Sequence, residues 1–177
     1  HCLCSAGFSG SLATAADVCT QCLAGRYKDV TGTLVCTQCV VYSGTLLSPG
    51  SVSVSDCLCD PGYDGTLNSA SDACSACDAG KYKDVSGTSS CIDCVVHSDT
   101  PAIASVAVSD CLCDPGYSGT IASQSDGCDA CVAGRYKEVA GVSSCSQCSA
   151  GSVTETLAAT AAISCIECSA DTYTVVS

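Results

Sequence analysis

Tryptophan and methionine are absent from the 177 residues, and phenylalanine occurs once. Large side chains bury most of the area that drives folding, so one ordinary globular core of this length is not expected. Positive charge is also scarce: six Lys and Arg stand against 18 Asp and Glu, a formal charge of −12. Phosphate recognition needs clustered bases, which argues against nucleic acid as a partner. The longest apolar candidate, 156–166, is too short to cross a bilayer,, so no membrane span is expected in this segment. Asn68, the single asparagine, precedes Ser-Ala and forms no N-glycosylation acceptor,. The chain opens on His1-Cys2 without an initiator methionine or signal peptide and reads as a mature product or an excerpt,.

What the chain has in excess is cysteine. Twenty of 177 residues exceed the roughly 8–10% that marks short secreted disulfide scaffolds,. Several small units held by cross-links fit that composition, and an oxidising, extracellular compartment follows from it.

The cysteines are periodic. Each unit reads C-x-C, fourteen residues, C-x2-C, thirteen residues, C-x2-C, and successive units are offset by 55 and then 54 positions. Fixed-period self-similarity marks a tandem array. The spacing divides the chain into repeats 1–56, 57–110 and 111–164, with 165–177 the start of an incomplete fourth.

Other residues keep the register. Phe8, Tyr63 and Tyr117 follow C-x-C, inside Cys-Ser-Ala-Gly-Phe and twice Cys-Asp-Pro-Gly-Tyr. Tyr27, Tyr82 and Tyr136 sit in Ala-Gly-(Arg/Lys)-Tyr-Lys, and Tyr173 takes that place in the fourth unit. All six positive charges, Arg26, Lys28, Lys81, Lys83, Arg135 and Lys137, lie in this motif. One reading is a row of cationic and aromatic recognition sites. The other, which is preferred, packs each tyrosine on a disulfide and leaves the bases solvated or paired with Asp29, Asp84 and Glu138. Tyr42 falls outside the scheme, and His97 aligns with Tyr42 and Gly151.

Between cysteines the runs are short and rich in Gly, Ser, Thr and Ala. Segments 28–33 and 83–88 predict a short strand into a turn, and 52–55 and 106–109 alternate like strands. Only 154–163 carries a weak helical stripe. The expected fold class is small and disulfide-rich, a tandem array of short β-hairpins and loops forming an elongated rod, with little helix.

C-x2-C, thirteen residues, C-x2-C is also a workable zinc spacing,. A Cys4 site would strand the C-x-C pair of every unit, and no histidine recurs in register to supply a ligand. A redox role for C-x2-C needs a thioredoxin-like βαβ setting, which is missing. Disulfides are therefore preferred, with a zinc-binding repeat as the alternative. Six cysteines per unit allow fifteen connectivities, and the spacing does not choose among them,.

Two resemblances bear on that choice. Cys57-Leu-Cys59-Asp-Pro-Gly-Tyr63-x-Gly65, followed by Cys74, resembles the end of an EGF-like module. Cys74-x2-Cys77-x-Ala-Gly80-x-Tyr82, continued by Gly87 and Cys91-x2-Cys94, is similar to the ephrin-receptor-like repeat, also found in TNF-receptor-like arrays. The resemblances imply Cys4–Cys19, Cys22–Cys39 and Cys36–Cys57, then Cys59–Cys74, Cys77–Cys94 and Cys91–Cys111. Cys113–Cys128, Cys131–Cys148 and Cys145–Cys165 follow in the third repeat. Cys2 and Cys168 are left over, with partners expected outside the chain. Bridges closing loops of this size each contribute about 3 kcal/mol in the entropy account.

Acidic residues gather near C-x-C as Asp56, Asp60, Asp64, Asp110 and Asp114, but the third repeat has Ser118 where the second has Asp64. Calcium needs six to eight oxygens from a preorganised loop, so a solvated acidic surface is the preferred reading. Segments 43–55, 98–109 and 152–164 are rich in Ser and Thr and are candidates for O-linked glycans, against a plain polar loop. No nucleophile–His–acid set recurs, so neither catalysis nor a cofactor is expected. Near-identical repeats suit construction. The expected function is an extracellular structural protein building a fibre, matrix or surface appendage, by analogy with the arrays of flagellar hairs. Its expected partners are further copies or further repeats of itself. A ligand-binding or adhesive receptor stalk is the alternative.

Overall fold

Each C-x2-C of the three repeats folds around a strand two residues long. In the computed structural model, which describes residues 2–14 and 16–168, Thr20–Gln21 lies between Cys19 and Cys22, and Thr37–Gln38 between Cys36 and Cys39. Each such strand pairs antiparallel with one a few residues upstream: Phe8–Ser9 with Thr20–Gln21, and Arg26–Tyr27 with Thr37–Gln38. A third ladder, Ser43–Gly44 with Leu58–Cys59, brings in the C-x-C of the next repeat. The set recurs as Tyr63–Asp64 with Ser75–Ala76, Lys81–Tyr82 with Ile92–Asp93, and Ser98–Asp99 with Leu112–Cys113. Tyr117–Ser118 with Asp129–Ala130, Arg135–Tyr136 with Ser146–Gln147, and Ser152–Thr154 with Cys165–Glu167 complete it. Two-residue ladders carry too few hydrogen bonds to stand alone, so the cross-links must hold them.

The chain divides into two compact units. One takes the residues up to Asp78 with 82–92 and 103–106; the other takes 79–81, 93–102 and the residues from Ala107 on. The first unit has a small core of Tyr27, Cys39, Cys57, Cys59 and Leu67, flanked by Val40, Val54, Tyr63 and Cys74. Its centre is sulfur and one tyrosine, as the scarcity of large side chains requires. In the second unit Ile121 holds the buried place of Leu67, 54 positions on.

Nine disulfides are present among the described residues, and their order corrects the pairing that the resemblances implied. Cys4–Cys19, Cys59–Cys74 and Cys113–Cys128 are as expected. The expected Cys22–Cys39 and Cys36–Cys57 are replaced by Cys22–Cys36 and Cys39–Cys57. Likewise Cys77–Cys91 and Cys94–Cys111 stand in place of Cys77–Cys94 and Cys91–Cys111. In the third repeat Cys131–Cys145 and Cys148–Cys165 replace Cys131–Cys148 and Cys145–Cys165. The cause is the strand inside C-x2-C. Residues three apart in an extended segment face opposite sides, so the first cysteine bonds back into its own hairpin and the second bonds forward. A crossed pairing would need both partners to change sides of the strand. Cys2 and Cys168 are exposed and form no disulfide among the described residues.

Three expectations about local structure also change. The strands expected at 28–33 and 83–88 are not there: the strands lie just before, at Arg26–Tyr27 and Lys81–Tyr82, and the expected segments contain bends and no strand of their own. The strands expected at 52–55 and 106–109 are 3₁₀ turns, Val54–Asp56 and Val108–Asp110. An acid at the end of each turn explains them: Asp56 Oδ2 accepts from the Val52 and Ser53 amides at 2.8 and 3.0 Å, and Asp110 Oδ2 from the Ala107 amide at 2.9 Å. The helical stripe at 154–163 is instead the end of a strand, a left-handed Ala158 with φ 56°, and a 3₁₀ turn at Ala162–Ser164.

Candidate functional site: a buried lysine node and an aromatic joint

The lysine that closes Ala-Gly-x-Tyr-Lys is buried in every repeat: Lys28, Lys83 and Lys137 are 2%, 1% and 3% exposed. Each follows directly on a strand, so its side chain and that of the preceding tyrosine leave opposite faces. Lys28 Nζ donates to the carbonyls of Phe8 at 2.7 Å, Gly32 at 2.6 Å and Cys4 at 3.4 Å. Lys83 donates to Tyr63 and Gly87 at 2.7 and 2.6 Å. Lys137 donates to Tyr117, Gly141 and Cys113 at 2.7, 2.5 and 3.1 Å. An ammonium has three donors and no acceptor, and carbonyl oxygens take the place of its water. Burial lowers the proton affinity of Lys83, with the charges of Asp64 and Asp60 pulling it back up. Burial lowers Lys137 as well, opposed by Asp114.

The node joins the two motifs that the sequence showed side by side. The carbonyl of the aromatic in Cys-x2-Gly-(Phe/Tyr) and that of the later glycine meet on one ammonium. Backbone bonds tie the same elements: the Gly62 amide donates to the Lys83 carbonyl at 2.8 Å, and the Lys83 amide to Ser105 at 3.1 Å. Gly62, with φ 80°, lies so close to its neighbour that a Cβ there would sit 2.4 Å from the Ala104 carbonyl oxygen. Thr45, Thr100 and Thr154, all buried, accept at Oγ1 from the Gly25, Gly80 and Gly134 amides at 2.9, 2.9 and 3.0 Å.

The remaining bases are also engaged. Arg26 and Arg135 donate from Nη1 to the carbonyls of Cys36 and Cys145, each at 3.1 Å. Lys81 forms an ion pair with Asp93. Three of the six bases, Lys28, Lys83 and Lys137, are thus buried on carbonyls, whereas Arg26, Lys81 and Arg135 stay at the surface, and none of the ion pairs expected with Asp29, Asp84 and Glu138 is found among the described residues. Glu138 accepts instead from the Ala162 amide at 3.1 Å. The tyrosine half of the preferred reading holds in the first unit, where Tyr27 packs with Cys39 and Cys57; Tyr82 is buried at 4%. Tyr173 lies outside the described residues.

Tyr42 and His97, which had no place in the periodic scheme, occupy one structural position. Both have φ 62°. Tyr42 stacks on Tyr63 with ring centroids 4.1 Å apart and planes 9° apart, and His97 on Tyr117 at 3.9 Å and 12°. The Asp60 and Asp114 amides donate to the Tyr42 and His97 carbonyls at 2.9 and 3.0 Å, which seats each ring over the next Cys-Asp-Pro-Gly-Tyr. Gly151, third in the alignment, has φ 84° and no ring. The signal was the spacing from 42 to 63 and from 97 to 117, visible once the repeats are aligned.

Three of the five carboxylates near C-x-C accept from the backbone. Asp64 Oδ2 accepts from the Cys91 amide at 3.2 Å, while Asp56 and Asp110 cap the 3₁₀ turns. Among the described residues no group of three or more His, Cys, Asp or Glu is placed to hold a metal ion. A shallow hollow of about 560 Å³ beside His97 is lined by Asp93, Gln124 and Asp126. Its acids are engaged, Asp93 with Lys81 and Asp126 with the Ala122 and Ser123 amides. No helix among the described residues is long and apolar enough to cross a membrane.

Comparison with known proteins agrees with this repeat geometry. Residues 10–57, 62–111 and 119–165 match the family described as tyrosine-protein kinase ephrin type A/B receptor-like. Among curated proteins, cysteine repeat modular protein A of Toxoplasma gondii is 32% identical over 152 residues, 79% of this chain and 5% of that protein. Cysteine repeat modular protein B of the same organism is 32% identical over 125 residues, 68% of this chain and 2% of that protein. The chain thus spans a small part of each relative.

Proposed function

We propose that this chain, which belongs to the tyrosine-protein kinase ephrin type A/B receptor-like family, is a segment of an extracellular structural protein. In this reading the tandem repeats build a fibre, matrix or surface appendage, and the partners are further copies or further repeats of the same kind. The observation that supports it is the recurrence of one lysine node on equivalent carbonyls in all three repeats. Repeats with the same interior serve regular construction, whereas recognition of a ligand calls for one repeat that differs. Nine disulfides favour the oxidising space outside the cell, since the cytosol keeps thiols reduced,. The cysteines of the zinc alternative are consumed in those bonds. In this reading Cys2 and Cys168 bond to cysteines outside these 177 residues. The reading includes no catalytic role. It includes O-linked glycans on the Ser- and Thr-rich loops, tested by intact mass of material from the native source.

Electron microscopy of native material tests the whole. Periodic filaments or a regular layer are expected. A monodisperse monomer at high concentration that binds a soluble ligand tightly would overturn the reading in favour of a receptor or adhesive stalk.

A further inference from the structure

Tyr42 and Tyr63 lie on either side of the boundary between the first two repeats, both in the first compact unit. Their rings are 4.1 Å apart and nearly parallel. Burial, followed by a hydrogen bond to the Tyr42 side chain, raises the proton affinity of the Tyr63 hydroxyl. Nearly parallel rings at this distance bring the ring carbons of the two phenols face to face. Tyr42 is 52% exposed and Tyr63 half-buried, which leaves the pair open to an oxidant in solution. Tyr42 also holds a left-handed backbone, φ 62°, that L side chains seldom adopt,. The ring is thus presented at some conformational cost.

We infer that Tyr42 and Tyr63 form a modification site, an internal o,o′-dityrosine cross-link that fixes the boundary between the first two repeats. The co-reactant is hydrogen peroxide acting through a haem peroxidase. Each phenol gives up one electron and its hydroxyl proton, and the peroxide is reduced to two waters. The two tyrosyl radicals carry spin at their ortho carbons. Coupling forms one carbon–carbon bond between a Cε of Tyr42 and a Cε of Tyr63. The ring hydrogen on each of those carbons then moves to the phenol oxygen as aromaticity returns. The product is lighter than the starting chain by two hydrogens. Coupling draws the rings inside their stacking distance, a movement that the half-exposed Tyr42 side chain can follow.

The second boundary provides an internal control. His97 has the same φ as Tyr42 and stacks on Tyr117 with similar geometry, but an imidazole cannot supply the second phenoxyl radical. Any dityrosine formed by the stacks belongs to the first boundary.

The test treats the disulfide-intact 177-residue chain, at low concentration, with a haem peroxidase and one equivalent of peroxide. Intact mass, dityrosine fluorescence and peptide mapping are read together. The expected result is a monomer lighter by two hydrogens with Tyr42 joined to Tyr63. Tyr42→Phe, which keeps a ring for the stack, loses the cross-link. His97→Tyr gains a second one, between position 97 and Tyr117. Dityrosine found only between molecules, or at other tyrosines, or not at all, overturns the inference, as does an undiminished yield in Tyr42→Phe or no gain in His97→Tyr.

Discussion

The Lys83 ammonium returns to the carbonyl of Gly87, four residues on, at 2.6 Å while also holding the Tyr63 carbonyl at 2.7 Å. One side chain therefore closes its own loop and clamps that loop to the hairpin before it. Lys28 and Lys137 do the same with Gly32 and Gly141. A chain short of apolar bulk has placed charged side chains where a core residue would ordinarily stand.

Replacing Lys83 by Met keeps most of the volume and leaves the Tyr63 and Gly87 carbonyls without their donor. An unsatisfied buried polar group costs about 1–3 kcal/mol, so a loss of about 2–4 kcal/mol is expected for Lys83→Met. The exposed ion pair of Lys81 with Asp93 should be worth less than about 1 kcal/mol. Urea unfolding of Lys83→Met and Lys81→Met with disulfides intact measures both. Equal effects would show that the buried node contributes nothing beyond an ordinary surface lysine.

Glycine is demanded at position 62 for two reasons, and a second glycine separates them. Gly62 and Gly134 both have φ 80°, but a Cβ on Gly134 meets open space, whereas one on Gly62 runs into the Ala104 carbonyl. Gly134→Ala should cost only the left-handed penalty of about 1–2 kcal/mol. Gly62→Ala should cost clearly more, since backbone must move. Denaturant midpoints for the pair give the difference directly.

The pairing within each repeat is open to direct chemical mapping. Partial reduction followed by alkylation and mass spectrometry should find Cys22 with Cys36 and Cys39 with Cys57. Isolation of Cys22–Cys39 would restore the crossed pairing that the resemblances imply. The double variant Cys22→Ser with Cys36→Ser opens a loop of 14 residues and should cost about 3 kcal/mol.

Stability should depend on pH at both extremes, in the same direction. Asp17, Asp72 and Asp126 accept backbone N–H bonds, chiefly from Thr14, Asn68 and Ala122, and these hold each carboxyl below the ordinary aspartate range. The unfolded chain then binds more protons than the native one. The contribution is complete above about pH 4 and is lost as the pH falls through the folded-state values. Lys83 and Lys137, lowered by burial, release their protons earlier in the folded chain. Their effect is a rise in stability as the pH climbs through the folded-state values toward about 10.4. Thermal unfolding between pH 2 and 5 should have a flatter slope in the Asp72→Asn, Asp126→Asn double variant (about pH 4 being its centre). An unchanged slope would show that these carboxylates bind protons alike in both states.

The repeat, its family and its hairpins were legible in the cysteine register, because sulfur spacing survives wherever the loops between vary. The disulfide partners were not. They depend on which way each cysteine faces, and the pairs between them, Thr-Gln, Ser-Ala and Ile-Asp, are too short to show a strand pattern. Burial of Lys28, Lys83 and Lys137 was also hidden, since lysine is rarely buried without a paired charge and here its partners are backbone carbonyls, which no side-chain pattern records. The Tyr42–Tyr63 stack escaped for a related reason: its counterpart is His97–Tyr117, and a change of residue type masked a shared position.

Turning three lysines inward has an electrical result. Of the six bases only Arg26, Lys81 and Arg135 stay at the surface, against 17 acids among the described residues. No described Asp or Glu is among the buried residues. Toward its surroundings the segment is a polyanion even more lopsided than its formal charge suggests. Two such surfaces repel until small cations gather between them. Screening acts over about 8 Å at physiological ionic strength, so salt, and divalent ions above all, governs how near these chains can lie side by side.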